Sequence, residues 1–344
     1  MKNAVRSGVV LTLSLAVVLP AFSQRGGRGG GGNAAETTAF QDFTEEVSPA
    51  RKVLLGEDFI AAYKKSTFRP QIDQQLADIY AKQKEWKKVE DVADRVQKEL
   101  PDSSPKSKLP VYIQGMLAAR NLTDVENAEK FGDLVIAADP MDINPAQILP
   151  AVILGHLPAD ATARLAALNK ALDYARKGAE LQKPPRVADA DWNGAQSKIH
   201  SSMGYIYGSL DKLPEAVMEY GIALKANNKD AESHFRLGMI YVFQMQDTGA
   251  MFNAANKAAL DAAAAKVDQA KLNELANNRD AIAEEVIAKR DMAIDSFARA
   301  IAIGGSIAQP ARQQLEPLYL NKNGADSAKG IDQFVSSKKT ELGL

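Results

Sequence analysis

A chain of 344 residues, 46% apolar and 25% charged, has the composition of a globular protein. Forty-two basic residues stand against 43 acidic ones, so the formal charge is −1 and no broad basic surface for nucleic acid or anionic lipid is implied. Cysteine is absent, which excludes disulfides, thiolate metal sites, a cysteine nucleophile and a lipidated N-terminal cysteine.

Residues 1–23 have the zones of an export signal. Lys2 and Arg6 form a positive start, an apolar run follows from Val9 to Leu19, and Ala21 and Ser23 are the small residues before a cleavage point at Gln24. The run is short for a membrane span of about 20 residues, so cleavage and export to the periplasm or cell envelope are expected. Membrane contact arises only if the segment is retained. Cleavage takes the formal charge from −1 to −3 by removing Lys2 and Arg6. Residues 24–48 are expected to be a flexible linker. Their arginine–glycine run has only two arginines, too few for the repeated runs that bind RNA, and reads as a tether.

From Pro49 the chain reads as helix throughout. Pro49 suits a helix start, and Val53, Leu54, Phe59, Ile60 and Tyr63 are its apolar positions up to about Lys65. Residues 67–70 break it, and a helix pair follows over about 70–103. A degenerate pair is marked by Gly115, Ala128, Val135 and Pro140, with about five extra residues in a loop at 103–109. Residues 144–155 and 161–181 form another pair, with Pro150 in the first helix and Pro158 ending it. Pro184 and Pro185 open a connector to Asp191, and Trp192 begins the next helix.

Between 197 and 241 one pattern appears twice, 34 residues apart. Met203, Gly204 and Tyr207 recur as Leu237, Gly238 and Tyr241, and His200 recurs as His234. Ala216, Tyr220 and Ala223 complete the first unit. This spacing resembles the tetratricopeptide repeat (TPR), whose period is 34 residues. Leu76, Ala77, Tyr80, Val89, Ala93, Val96 and Pro101 fit the same template without a gap. One hairpin cannot bury its own apolar stripe, so copies must stack. The resemblance implies an all-α, TPR-like solenoid over residues 49–344, of about five or six helix pairs. The segment before the first match further resembles exported bacterial envelope members of the family.

After Tyr241 the register breaks. The second half of that repeat returns only at Ala293, Phe297 and Ala300, an offset of 43 residues. The inserted stretch, about 247–291, is expected to be an extra helical hairpin with a thin stripe of Leu275, Ile282 and Val286 and a turn at Asn277-Asn278. Gly304 and Gly305 close the helix after it. Leu315, Tyr319 and Ala328 keep repeat positions, and Ile331, Phe334 and Val335 line a final capping helix that carries Lys338, Lys339 and Glu341 near its end.

Nothing in the chain has the spacing of a catalytic or cofactor motif. His200 and His234 lie one repeat apart, a helix-packing distance of about 8–10 Å or more, too far to share one zinc. They read as structural, and His156 as a helix cap. No metal, no cofactor and no catalytic residue is therefore expected. The resemblance implies that first-helix positions face a concave groove. In unit order these are Gln71, Gln74, Asp78, Ala81 and Lys82; then Lys198, Ser201, Tyr205, Gly208 and Ser209; then Glu232, Phe235, Met239, Val242 and Phe243. The basic and asparagine pattern that clamps a C-terminal carboxylate is not matched. An apolar groove of Tyr205, Phe235, Met239, Val242 and Phe243 is the expected site for a protein or peptide partner. The alternative placement is that the insertion folds back over these residues and uses them as core. The expected function is a non-enzymatic interaction scaffold of the cell envelope. The alternatives are a small-molecule binder or enzyme with a pocket under the insertion, and a self-associating envelope subunit.

Overall fold

The computed structural model describes residues 34–100, 104–185 and 187–344, and among them every regular element is helical. The export signal and residues 24–33 of the linker lie outside the described residues. The described residues form fourteen α-helices, most of them packed on a neighbour in sequence, and the fold is TPR-like. Local chemistry sets where they begin. Proline occupies the first turn of α2 (Pro49–Ala62), α3 (Arg69–Lys82), α7 (Asn144–Gly155) and α10 (Leu213–Ala226), where its missing N–H costs nothing. Aspartate caps α6 (Val125–Ala138), α8 (Ala161–Ala179), α11 (Ala231–Ala264) and α12 (Gln269–Ile303) by accepting from first-turn N–H groups.

The chain forms two compact units that divide between Gln114 and Gly115, within α5 (Pro105–Leu122). The first contains α1 (Ala34–Glu45), α2, α3 and α4 (Trp86–Glu99). Here the expected linker is corrected: residues 34–45 are helix, because Phe43 and Phe40 have apolar surface to cover. Phe43 is fully buried, and Phe40 stacks on Phe68 with ring centroids 4.1 Å apart. The template residues Leu76, Ala77, Tyr80, Val89, Ala93 and Val96 are all buried, as the repeat reading requires. Beside them lies an ion network. Arg95 donates to Asp73 and to Glu57 at 2.8 Å each, and Arg69 donates to Glu99 at 2.9 Å. Burial pushes the Asp73 carboxyl up despite the opposing pull of Arg95 and Arg69. From Pro105 onward the expected loop is helix: α5 begins there and carries Pro110 inside it, while residue 103 lies outside the described residues.

The second unit runs through α6, α7, α8, α9 (Asp189–Ser209), α10, α11, α12, α13 (Ala308–Asn323) and α14 (Gly330–Glu341). The helices α7, α9 and α11 neighbour one another in sequence of pairs, and α8, α10 and α12 complete their hairpins. Glycines mark several tight crossings. A Cβ at Gly204 would stand 2.9 Å from the Tyr220 ring, and one at Gly238 would stand 2.7 Å from the Phe297 ring. The second crossing is the first repeated 34 residues later on α11, with its aromatic displaced by the insertion.

That insertion differs from its expected form. No separate hairpin is added: α11 and α12 themselves continue outward as a long antiparallel arm. Asn277-Asn278 lies inside α12, and the reversal occurs at 265–268, where Lys266 takes a positive φ of 54°. The same left-handed residue closes the other pair turns at Lys84, Thr123 and Asp211. In each case the next N–H bonds to the carbonyl five residues back, as in Lys212 to Tyr207, Glu85 to Tyr80 and Val267 to Ala262. The arm tip is thus the ordinary turn of a repeat, carried out on two helices each lengthened by about six turns. Leu275, Ile282 and Val286 are half-buried along the arm, as their stripe predicts.

The last pair closes the core. Gly304 ends α12 at φ 92°, and Leu315 and Ile331 are buried against Ala293, Ile294 and Phe297. Ala328 falls in a 3-10 turn rather than in the final helix, which starts at Gly330.

Candidate functional site

The expected groove lies on α9 and α11. Phe235, Met239 and Val242 share one side of α11 at spacings of four and three residues, as the helical period dictates. They are partly buried and pack on the cluster formed by α12, α13 and α14. The Phe235 and Phe297 rings meet at 5.8 Å in a tilted arrangement. Their cover comes from the neighbouring repeat, not from the insertion. Because α11 continues straight through residue 264, its outer part leads away from Phe243 by about 30 Å and cannot fold back.

Of the five residues only Phe243 is exposed, and Tyr205 is part-buried like the other three. Phe243 is 50% exposed at the base of the arm. Tyr205 projects from α9 beneath Arg236 of α11, whose guanidinium sits 4.3 Å from the ring centroid. Arg236 also pairs with Glu232 at 2.6 Å, and Ser233 donates to Ser201 Oγ at 2.9 Å across the two helices. The α9–α11 surface therefore carries an aromatic ring and a guanidinium beside the apolar edge, while the Ser233 hydroxyl is buried between the helices. In the first unit, Asp78 accepts from Gln114 at 3.1 Å, and burial raises its carboxyl.

The sequence reading missed Arg236, although the Glu232–Arg236 spacing of four residues was a legible signal. A second feature escaped it as well. On the other side of α11 a cleft of about 510 Å³ is lined by residues that include Leu224, His234, Leu237, Tyr241, Asp291, Met292, Asp295 and Arg299. The charges there already have partners. Asp291 meets Lys322 at 2.7 Å, and Asp295 meets Arg299 at 2.7 Å and Lys338 at 2.8 Å. Burial pushes the Asp295 carboxyl up, but its bonds to Arg299 and Lys338 outweigh that and leave it below the usual range.

The histidines sit where a structural role puts them. His200 Nδ1 lies 2.6 Å from Glu219 Oε2, and His234 donates from Nε2 to the Asn228 carbonyl at 3.1 Å. His156 caps α7 and donates to the Val152 carbonyl at 2.9 Å. No group of three or more histidine, aspartate or glutamate side chains among the described residues is arranged to hold a metal. No helix among them is long and apolar enough to cross a membrane.

The sequence matches no protein-family model and no curated protein. Solved structures similar to it include MamA, with 14% identity and a TM-score of 0.40 over 68% of this chain and 93% of that one. A tetratricopeptide repeat protein from Parabacteroides merdae is 10% identical, with a TM-score of 0.41 over 83% and 98%. The human IFIT1 dimer with m7Gppp-AAAA is 14% identical, with a TM-score of 0.40 over 83% of this chain and 56% of that one. These are distant likenesses, and the TPR-like assignment rests on the repeated glycine–aromatic crossings described above.

Proposed function

We propose that the protein is a non-enzymatic scaffold that binds a polypeptide partner on the α9–α11 surface. The observation that carries this reading is the exposed Phe243, two turns along α11 from the Arg236 guanidinium that covers the Tyr205 ring, on first helices of consecutive repeats. Aromatic and arginine side chains concentrate binding energy where partner contact excludes water. Phe235, Met239 and Val242 shape the floor of that surface through their contacts with α12–α14 rather than lying open to the partner.

The location belongs to the same proposal. The charged, apolar and small-residue zones of residues 1–23 support export to the envelope with cleavage before Gln24. A tagged chain expressed in a Gram-negative host and purified from its envelope fraction tests both. Its N-terminus should begin at or near Gln24, and capture of a specific polypeptide should be lost in Tyr205→Ala and Phe243→Ala. Capture that is unchanged in both variants excludes this surface, and a full-length cytosolic product excludes export.

A further inference from the structure

The arm carries no buried residue of its own between Thr248 and Ala293. Its two helices share only a half-buried seam, built from residues such as Phe252, Ala259, Leu272, Leu275 and Val286. A lone pair of helices with so thin a stripe lacks the apolar burial that holds helices together elsewhere in the chain. The missing burial must come from outside the arm.

The two outer faces differ in chemistry. Along residues 269–291 the α12 strand of the arm carries nine charged side chains, whereas α11 carries three over residues 243–264. On that α11 surface, successive turns place Phe243, Asp247, Ala250, Met251, Ala254 and Lys257 on one exposed side. Met251 is 59% exposed, so large apolar area is open here without a cover. Lys257 pairs with Asp261 at 2.6 Å, while Asp247 has no ion-pair partner among the described residues.

We propose that this face docks antiparallel on the same face of a second copy of the chain, about a two-fold axis beside residue 252. The charge pattern selects that occupant. Asp247 and Lys257 are equidistant from residue 252, so the two-fold sets Asp247 against Lys257 of the partner subunit, and the reciprocal pair forms by symmetry. Ala250 and Ala254 lie opposite one another in the same register and let the backbones approach to about 8 Å. Met251 then covers the margin of the contact. The contact buries apolar surface on the side of α11 opposite the seam, and so adds to the thin burial within each arm.

The full chain should form a concentration-dependent dimer in sedimentation velocity. Asp247→Lys sets like charges against each other and should raise the dimer dissociation constant at least about tenfold. Lys257→Asp should do the same, and the double exchange D247K/K257D should restore self-association to within about threefold of the original. Circular dichroism of each variant keeps a loss of pairing distinct from a loss of helix. The register has its own readout, because the chain has no native cysteine. A mixture of Ala250→Cys and Ala254→Cys chains should oxidise to the mixed dimer in preference to either self-pair. A chain that stays monomeric up to about 100 µM, far weaker than specific pairing requires, overturns the proposal. So does a dimer indifferent to D247K, and equal yields of all three cross-linked products overturn the register.

Discussion

Gly238 on α11 and Phe297 on α12 are 59 positions apart in the sequence, yet the Phe297 ring occupies the space where a side chain at 238 would begin, 2.7 Å from its Cβ position. The equivalent pair one repeat earlier is Gly204 and Tyr220, only 16 positions apart. The crossing keeps its geometry because the added residues are divided between both helices and closed by the usual turn.

This contact gives the first test. Gly238→Leu should cost roughly 1–3 kcal/mol by overpacking, read as a lower urea midpoint with unchanged slope. Adding Phe297→Leu to a Gly238→Ala chain should recover part of the loss, because room made on one side is used by the other. Strictly additive effects would mean that the two residues do not share this space.

The groove residues separate by their cover. Phe235 packs on Phe297, so Phe235→Ala should lose about 3 kcal/mol or more of stability in the second unit. Phe243 is half exposed, and Phe243→Ala should cost less than about 1 kcal/mol. Equal losses in chemical unfolding would show that Phe243 is as enclosed as Phe235.

In the first unit, Asp73 is fully buried and Arg95 supplies its closest charged bond. Arg95→Ala leaves that carboxylate without this partner and should destabilise the unit by about 3–5 kcal/mol. The combined change R95A/D73N should recover most of it. A single variant that unfolds like the parent would show that Asp73 is solvated.

His234 predicts a pH effect. Burial lowers its pKa, while the Asn228 carbonyl and the nearby Asp230 and Asp295 raise it and Arg299 lowers it; burial wins. The unfolded chain therefore binds the proton more readily than the folded one. Stability from neutral His234 is present above its ordinary pKa of about 6.5 and is lost as pH falls through the lower folded value. His234→Gln keeps a donor for the Asn228 carbonyl and should flatten the fall in stability below about pH 6.5. An unchanged acid limb would place the proton elsewhere.

Much of this architecture could be read from spacing alone. Positions 7, 8, 11, 20, 24 and 27 of the repeat are buried at Leu76, Ala77, Tyr80, Val89, Ala93 and Val96, and the tight crossings fall at Gly204 and Gly238. The offset at Ala293 and Phe297 was legible because small and aromatic residues recur at fixed intervals on one helical face. Of the candidate site, the sequence placed Phe235, Met239 and Val242 on one side of one helix, since periodicity is a local property of the backbone.

What the intervals leave open is set by contacts between distant segments. Phe40 and Phe43 are too few to declare a helix by themselves, and α1 forms because Phe68, Gly56 and Leu76 receive them. Helix-forming residues at 247–291 suit an added hairpin as well as two lengthened helices, because propensity fixes conformation and not connection. The seam between α11 and α12 decides for the latter and moves the reversal from Asn277-Asn278 to Lys266. Likewise, only the packing of α12–α14 determines that Phe235 and its neighbours are floor while Phe243 remains exposed. Local order along this chain follows from its own pattern; burial depends on which surfaces meet, and that is a property of the assembled helices.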